Sequence, residues 1–345
     1  MTKTTAYVGT YTKGDSKGIY RFTLHPSTGE MGEVELAAEL DNPTYLAISN
    51  SKKHLYSVIK SGENGGVVAY SLKESGQLEY VNKHVSPGSP PCHVSVDSSD
   101  QFVYSANYHL GTAISYQITK NGELSSPVSI MEHKGNGPHE RQEKSHVHYA
   151  GLTPDEKLLC VVDLGTDKMA LYHSNAGQLS LHNEITFRPG TGPRHIQFHP
   201  NGKFAYVNGE LSSEVIAFAY HSETSTFTEL QYISSLPADF EGESIGGALK
   251  VSPDGQFLYA SNRGDDSIAV FKIDLDTGKL TLVDHTPTGG EFPRDFTIDP
   301  SASYLLAANQ DSGNIVQFSI DQATGKLTKT GVEIHVPHPV CLAFL

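Results

Sequence analysis

A unit of about 49 residues repeated seven times constrains this chain more than any other feature of its sequence. Three phrases recur in fixed order. The first is a short apolar segment, usually opened by proline: PTYLAIS from Pro43, PCHVSVD from Pro91, VHYAGLT from Val147, PRHIQFH from Pro193, GGALKVS from Gly246, PRDFTID from Pro293 and PVCLAFL from Pro339. The second follows a tight turn and reads HLYSVIK, FVYSANY, LLCVVDL, FAYVNGE, FLYASNR and YLLAANQ. The third closes on a glycine turn, as in VVAYSLKESGQL and IAVFKIDLDTGKL, and a fourth strand-like segment follows it. The openers step by 48, 56, 46, 53, 47 and 46 residues. The chain starts inside the second phrase (AYVGTY, from Ala6) and ends on the first, so one unit is split between residues 1–40 and 338–345. Four short strands per unit predict an all-β, seven-bladed β-propeller with four-stranded antiparallel blades, a single domain over residues 1–345. Its ring is expected to close by pairing of the C-terminal strand with the N-terminal ones. The two longest steps carry polar insertions at 132–144 and 235–244, each between a fourth strand and the next first strand.

The charge balance narrows the partners. Asp and Glu outnumber Lys and Arg by 39 to 25, a formal net charge of −14. No basic excess exists to neutralise phosphates, so neither nucleic acid nor an anionic membrane is an expected partner. No apolar run reaches the ~18–20 residues that span a bilayer. The opening MTKTTAYVGTYTKG lacks the charged-then-apolar pattern of a secretory signal. Cys92, Cys160 and Cys341 lie in apolar runs without metal-like spacing, which reads as buried free thiols in the cytoplasm. There is no glycine-rich phosphate loop leading into a helix, and no ligand cluster with metal spacing, so no cofactor and no metal are expected. The oligomeric state is not legible.

Residues shared by every unit serve the common frame: Tyr56, Tyr104, Tyr206 and Tyr259 as core positions, the turn glycines as hairpin geometry. Departures from the repeat carry the function. First and second strands are antiparallel neighbours, so the start of one and the end of the other form rings on one face. The residue after each opener is Val340, Thr44, Cys92, His148, Arg194, Gly247 and Arg294; the exit of the second strand is Tyr11, Lys60, Tyr108, Leu164, Glu210, Arg263 and Gln310. His148, Arg194, Glu210, Arg263 and Arg294 therefore come from four successive units and are expected to converge. A lone arginine at a blade edge is an ordinary ion-pair partner, but five such positions together read as a cationic pocket suited to carboxylate or phosphate. His148 and Glu210 supply candidate acid–base groups. His146, His195, Asp163, Asn262 and Asn309 are expected to contact substrate around them.

At these residues the chain resembles the seven-bladed lactonase family. The stretches SHVHYAGLTPDEKLL (145–159), GPRHIQFHPNGKFAYVNGEL (192–211), VSPDGQFLYASNRGDDSIAVF (251–271) and FPRDFTIDPSASYLLAANQ (292–310) carry the likeness, which extends over essentially the whole chain. The resemblance implies that His148, Arg194, Glu210 and Arg263 are the catalytic set; Arg294, from the rim positions, is expected among the substrate contacts. It also implies a hydrolase acting on a small anionic sugar lactone, 6-phospho-glucono-1,5-lactone, to give 6-phosphogluconate in the pentose phosphate pathway. A lactone-forming cycloisomerase acting on carboxy-muconate is the alternative, and a non-catalytic propeller scaffold the third. Many relatives read Asn-Glu at the exit of the fifth unit's second strand; here it is Gly209-Glu210, which removes a side-chain amide beside the carboxylate.

Overall fold

The alternation of apolar phrases and tight turns becomes seven four-stranded antiparallel sheets in a computed structural model, which describes residues 3–345. Six sheets take their strands in chain order, as Val147–Leu152, Leu159–Asp163, Lys168–Asn175 and Gln178–Thr186 do. The seventh begins with Pro339–Phe344 and continues with Thr4–Thr10, Gly18–Leu24 and Glu35–Glu39, which is the split unit the repeat predicts. Second strands are buried on both faces: every residue of Phe257–Arg263 is buried, hence its unbroken apolar reading. Fourth strands, such as Leu327–His335, are largely exposed and read as polar. The insertion at 132–144 holds a 3-10 turn, Glu140–Gln142, capped by the His139 side chain.

The chain divides into two compact units, one built on Arg194–Phe344 with Arg21–Glu35, the other on Leu36–Pro193 with Tyr7–Tyr20. Within the first, Tyr206, Val215 and Ala217 pack with Leu249, Leu258 and Ala260 of the following sheet, and Tyr259, Ile268 and Val270 with Phe296, Leu305 and Ala307 of the next. Within the second, Tyr56, Val58 and Val67 meet Val94, Val103 and Tyr116, and Tyr104 and Ala106 meet Val147, Leu159 and Val161. The core is thus a series of slabs between successive sheets, each filled by the inward side of the strand alternation.

The repeated tyrosine does more than fill space. Tyr56 Oη donates to the Gly122 carbonyl at 3.0 Å, Tyr206 Oη to Gly278 at 3.0 Å, and Tyr259 Oη to Gly325 at 3.0 Å. Each bond latches a second strand to the hairpin of the following sheet, and it satisfies a phenol that burial would otherwise strand. Glycine is needed at the receiving turn: Gly278 has φ +71°, and a Cβ there would lie 2.3 Å from the Phe204 ring.

Candidate functional site

The ring position after each opener is, in three sheets, a β-bulge. Val147 pairs with Asp163 and Tyr149 with Val162, which leaves His148 as the extra residue. Pro293 pairs with Asn309 and Asp295 with Ala308, which leaves Arg294. Gly246 pairs with Asn262 and Leu249 with Ala260, so Gly247 and Ala248 together face Ser261. A bulge takes its residue out of the two-faced alternation and re-aims it, the usual device for presenting a side chain at the end of a strand.

In the unit built on Arg194–Phe344, three charged side chains close on one another. Glu210 Oε2 lies 3.0 Å from Arg194 Nε and 2.7 Å from Arg263 Nη2. All three residues are 3% exposed. The guanidiniums are also held by backbone: Arg194 Nη1 donates to the Gly247 carbonyl at 2.7 Å, and Arg263 Nε and Nη2 both donate to Gly246 O, Nε at 3.1 Å. The Gly-Gly opener of this sheet, where its neighbours carry proline, has a reason. A Cβ at residue 247 would meet Ser261 Oγ at 2.3 Å and the Pro293 carbonyl at 2.7 Å, so the strand could not bring these carbonyls in with a larger residue. Arg194 Nη1 also lies 3.1 Å from His195 Nδ1. Arginine only donates, so Nδ1 accepts and the neutral ring carries its proton on Nε2. His195 thus supports Arg194 from behind, and its backbone N–H is fixed by Asn208 Oδ1 at 3.0 Å.

Glu210 thus faces two guanidiniums, Arg294 acts on Arg263 as a further like charge, and the buried Asp295 carboxyl lies within electrostatic reach of Arg194. Burial, above all, brings the Arg263 guanidinium down to about 9; Glu210 opposes the fall, while Arg194 and Arg294 add to it as like charges. A site that pushes a guanidinium toward neutrality is relieved by an incoming anion, which restores the balance.

In the other unit, His148 is buried against aromatic surface: its ring meets Tyr108 edge-on at 5.8 Å, and its carbonyl accepts from the Cys92 thiol at 3.6 Å. His146 stacks flat on Tyr108 at 4.1 Å. Its Nδ1 bonds the Tyr108 carbonyl at 2.9 Å, and its Nε2 bonds Glu143 at 3.1 Å. With both nitrogens engaged, His146 packs beneath Tyr108. It lies directly before the strand Val147–Leu152.

Three further expected contacts turn out to be committed to the frame. Asp163 accepts from His146 N at 2.7 Å, Gly165 N at 3.0 Å and Ser145 Oγ at 2.7 Å. Asn262 Nδ2 donates to the Ser235 carbonyl at 2.7 Å and its Oδ1 accepts from Ser235 Oγ at 2.6 Å. Asn309 Nδ2 donates to Asn314 Oδ1 at 3.1 Å. All three are fully buried. They sit one residue before the strand exit, where Asn107 likewise donates to the Ser89 carbonyl at 2.8 Å, and at Asn107, Asp163 and Asn262 the position clamps the loop that leads into its own sheet. Burial also pushes the Asp163 carboxyl up, but its bonds from His133, Ser145 and His146 N outweigh that and hold it below the usual range. Cys92 is half-buried, not buried as expected, while Cys160 and Cys341 are buried.

Sequence reasoning missed Asn208. Its Nδ2 donates to Gly247 O at 2.7 Å, so an amide one residue earlier than in the Asn-Glu pattern braces the carbonyl that holds Arg194. The carbonyls of Gly246 and Gly247 were also missed; the doubled glycine at the opener was the available signal. Among the described residues, no helix is long and apolar enough to cross a membrane.

Comparison with known proteins is consistent with this geometry. Residues 5–344 match the family described as lactonase, seven-bladed β-propeller. A 6-phosphogluconolactonase of Bacillus subtilis is 48% identical over 346 residues, covering 100% of this chain and 99% of that one. A crystal structure of a Lactobacillus plantarum protein superposes with a TM-score of 0.96 at 41% identity, covering 100% of both chains. The periplasmic gluconolactonase of Pseudomonas aeruginosa superposes with a TM-score of 0.94 at 30% identity, over 100% of this chain and 99% of that one.

Proposed function

We infer that this chain, which belongs to the seven-bladed β-propeller lactonase family, hydrolyses 6-phospho-glucono-1,5-lactone to 6-phosphogluconate. The observation that carries the reading is the buried Arg194–Glu210–Arg263 cluster, on which Arg294 acts as a further like charge, in a chain of net charge −14. The Bacillus relative's name points to the same substrate.

Lactone hydrolysis needs a base to take a proton from water, donors for the oxyanion that forms at the carbonyl, and a proton for the departing ring oxygen. Glu210 holds two guanidiniums through one oxygen, so we assign it the task of orienting Arg194 and Arg263. Those two arginines stabilise the oxyanion, and Arg294 takes the phosphate. His148 is our candidate for the base and, in its protonated form, for the acid that returns the proton to the ring oxygen. Metal and organic cofactors play no part in this scheme.

The seven sheets are read as one domain, because the two ends of the chain complete a single sheet. The free thiols and the pathway of the Bacillus relative support a cytoplasmic location, which cell fractionation tests against the periplasmic precedent. The decisive assay is paired: purified protein is given 6-phosphogluconolactone and, separately, carboxy-muconate. Rapid opening of the lactone with no cyclisation is expected. The reverse result would make the chain a cycloisomerase, and inactivity on both would sink the enzymatic reading.

A further inference from the structure

Four residues directly before an opening proline have left-handed backbone: Asn42 (φ 50°), Gly192 (φ 56°), Phe292 (φ 60°) and His338 (φ 48°). Proline disfavours helical conformations in the residue before it. Glycine and asparagine tolerate the left-handed region, whereas a bulky aromatic residue there is strained. The contrast between Gly192 and Phe292 isolates the point. Each is pinned by an aspartate in the turn between the second and third strands of the preceding sheet. Asp167 Oδ1 accepts from Gly192 N at 2.7 Å, and Asp266 Oδ1 accepts from Phe292 N at 2.9 Å. The Phe292 carbonyl is held as well, by Gln310 N at 3.0 Å. The frame therefore makes the same backbone demand at both positions. Glycine meets it at one; at the other a phenylalanine is kept in spite of it. Strain of this kind persists where the side chain has a task.

The task is visible in what the ring touches. The Arg263 guanidinium carbon sits 5.3 Å from the Phe292 ring centroid, within cation–π range. Arg263 spends N–H edges on Glu210 and the Gly246 carbonyl, and the aromatic ring covers a face. The same short segment leads through Pro293 into the bulged Arg294, so a single pinned turn sets both the cover on one arginine and the start of another.

We propose that Phe292 is a positioning residue for the lactonase reaction: a strained, left-handed aromatic whose ring fixes the plane of the Arg263 guanidinium toward the oxyanion that forms on the lactone. The proposal rests on the reading that Arg263 belongs to the reacting site, and the test separates the two. Wild type, Phe292→Asn and Phe292→Tyr are compared for kcat and KM on 6-phosphogluconolactone, for Tm, and for the rise in Tm on adding 6-phosphogluconate. Asparagine suits the backbone, as it does at residue 42, so this variant is expected to melt within about 3 °C of wild type. Its kcat/KM falls about tenfold, the loss of a desolvated cation–π contact, mainly through kcat, because Arg263 acts on the oxyanion. Tyrosine keeps the ring and restores the wild-type value.

An asparagine variant with unchanged kcat/KM overturns the proposal. So does one whose Tm collapses together with its activity, or a tyrosine variant that fails to rescue. If wild type is stabilised by 6-phosphogluconate but turns over no lactone, the functional reading falls alone. The proposal then stands if Phe292→Asn weakens that stabilisation and fails if it does not. A wild type that shows neither turnover nor stabilisation overturns both.

Discussion

The two units place their candidate site residues in opposite kinds of surroundings. In the Arg194–Phe344 unit, Arg194, Glu210 and Arg263 are fixed by ion pairs and by two backbone carbonyls. Their directions are set before any ligand arrives, and their energy is electrostatic. In the Leu36–Pro193 unit, His148 is held by packing against Tyr108, which in turn rests on His146. One arrangement makes a receptor for charge, in which stability and function are coupled. The other supports a single imidazole, in which the frame and the functional group are separable.

That contrast is testable. His148→Ala is expected to lower kcat/KM for the lactone by about 10²–10⁴-fold, the range for loss of a general acid–base. Stability should change by less than about 2 kcal/mol, since an imidazole held by packing leaves no uncompensated charge; urea unfolding and initial rates measure both. A small rate effect would remove His148 from the mechanism and leave the arginine cluster to act without it. Glu210→Gln should act on both axes. Hydrolysis should fall about 10²–10³-fold as the oxyanion donors lose their orientation. Unfolding free energy should drop by about 3–5 kcal/mol, because two buried guanidiniums lose their counter-charge. If the glutamine variant loses activity without stability, the claimed coupling is wrong.

The smallest effect concerns pH. Arg263 is brought down to about 9 in the free protein, and an anion favours its charged form. Affinity for 6-phosphogluconate should therefore stay flat up to about pH 9 and weaken about tenfold per pH unit beyond it. Calorimetric titration between pH 8 and 10 measures this. Affinity that stays flat throughout would break the link between the charge of Arg263 and anion binding.

Much of the architecture was legible because each unit repeats the same local instructions. Apolar phrases at a steady spacing, prolines at the openers and glycines at the hairpins specify the strand count, the split unit and the latching tyrosines. The charged rim positions were legible for a related reason: a residue that departs from a repeat has no structural duty in common with its counterparts. The partners of Asp163, Asn262 and Asn309 were not legible in this way. Their polarity resembled a site, yet it serves a clamp whose partners, Ser145 and Ser235 among them, lie in loops that differ in length from unit to unit. The partners of His146 were hidden for another reason: Glu143 and the Tyr108 carbonyl come from near an insertion and from a neighbouring sheet.

The amino-acid sequence by itself determined the seven units, their strand order and which side chains break the pattern, since all of these follow from spacing and periodicity along the chain. Only the tertiary structure decided that His148 and Arg294 stand on bulges. It alone showed that Glu210 faces two guanidiniums with a single oxygen, and that Phe292 accepts a strained backbone to lie over Arg263. Register shifts and contacts between distant segments depend on how whole sheets pack, and no local pattern encodes them.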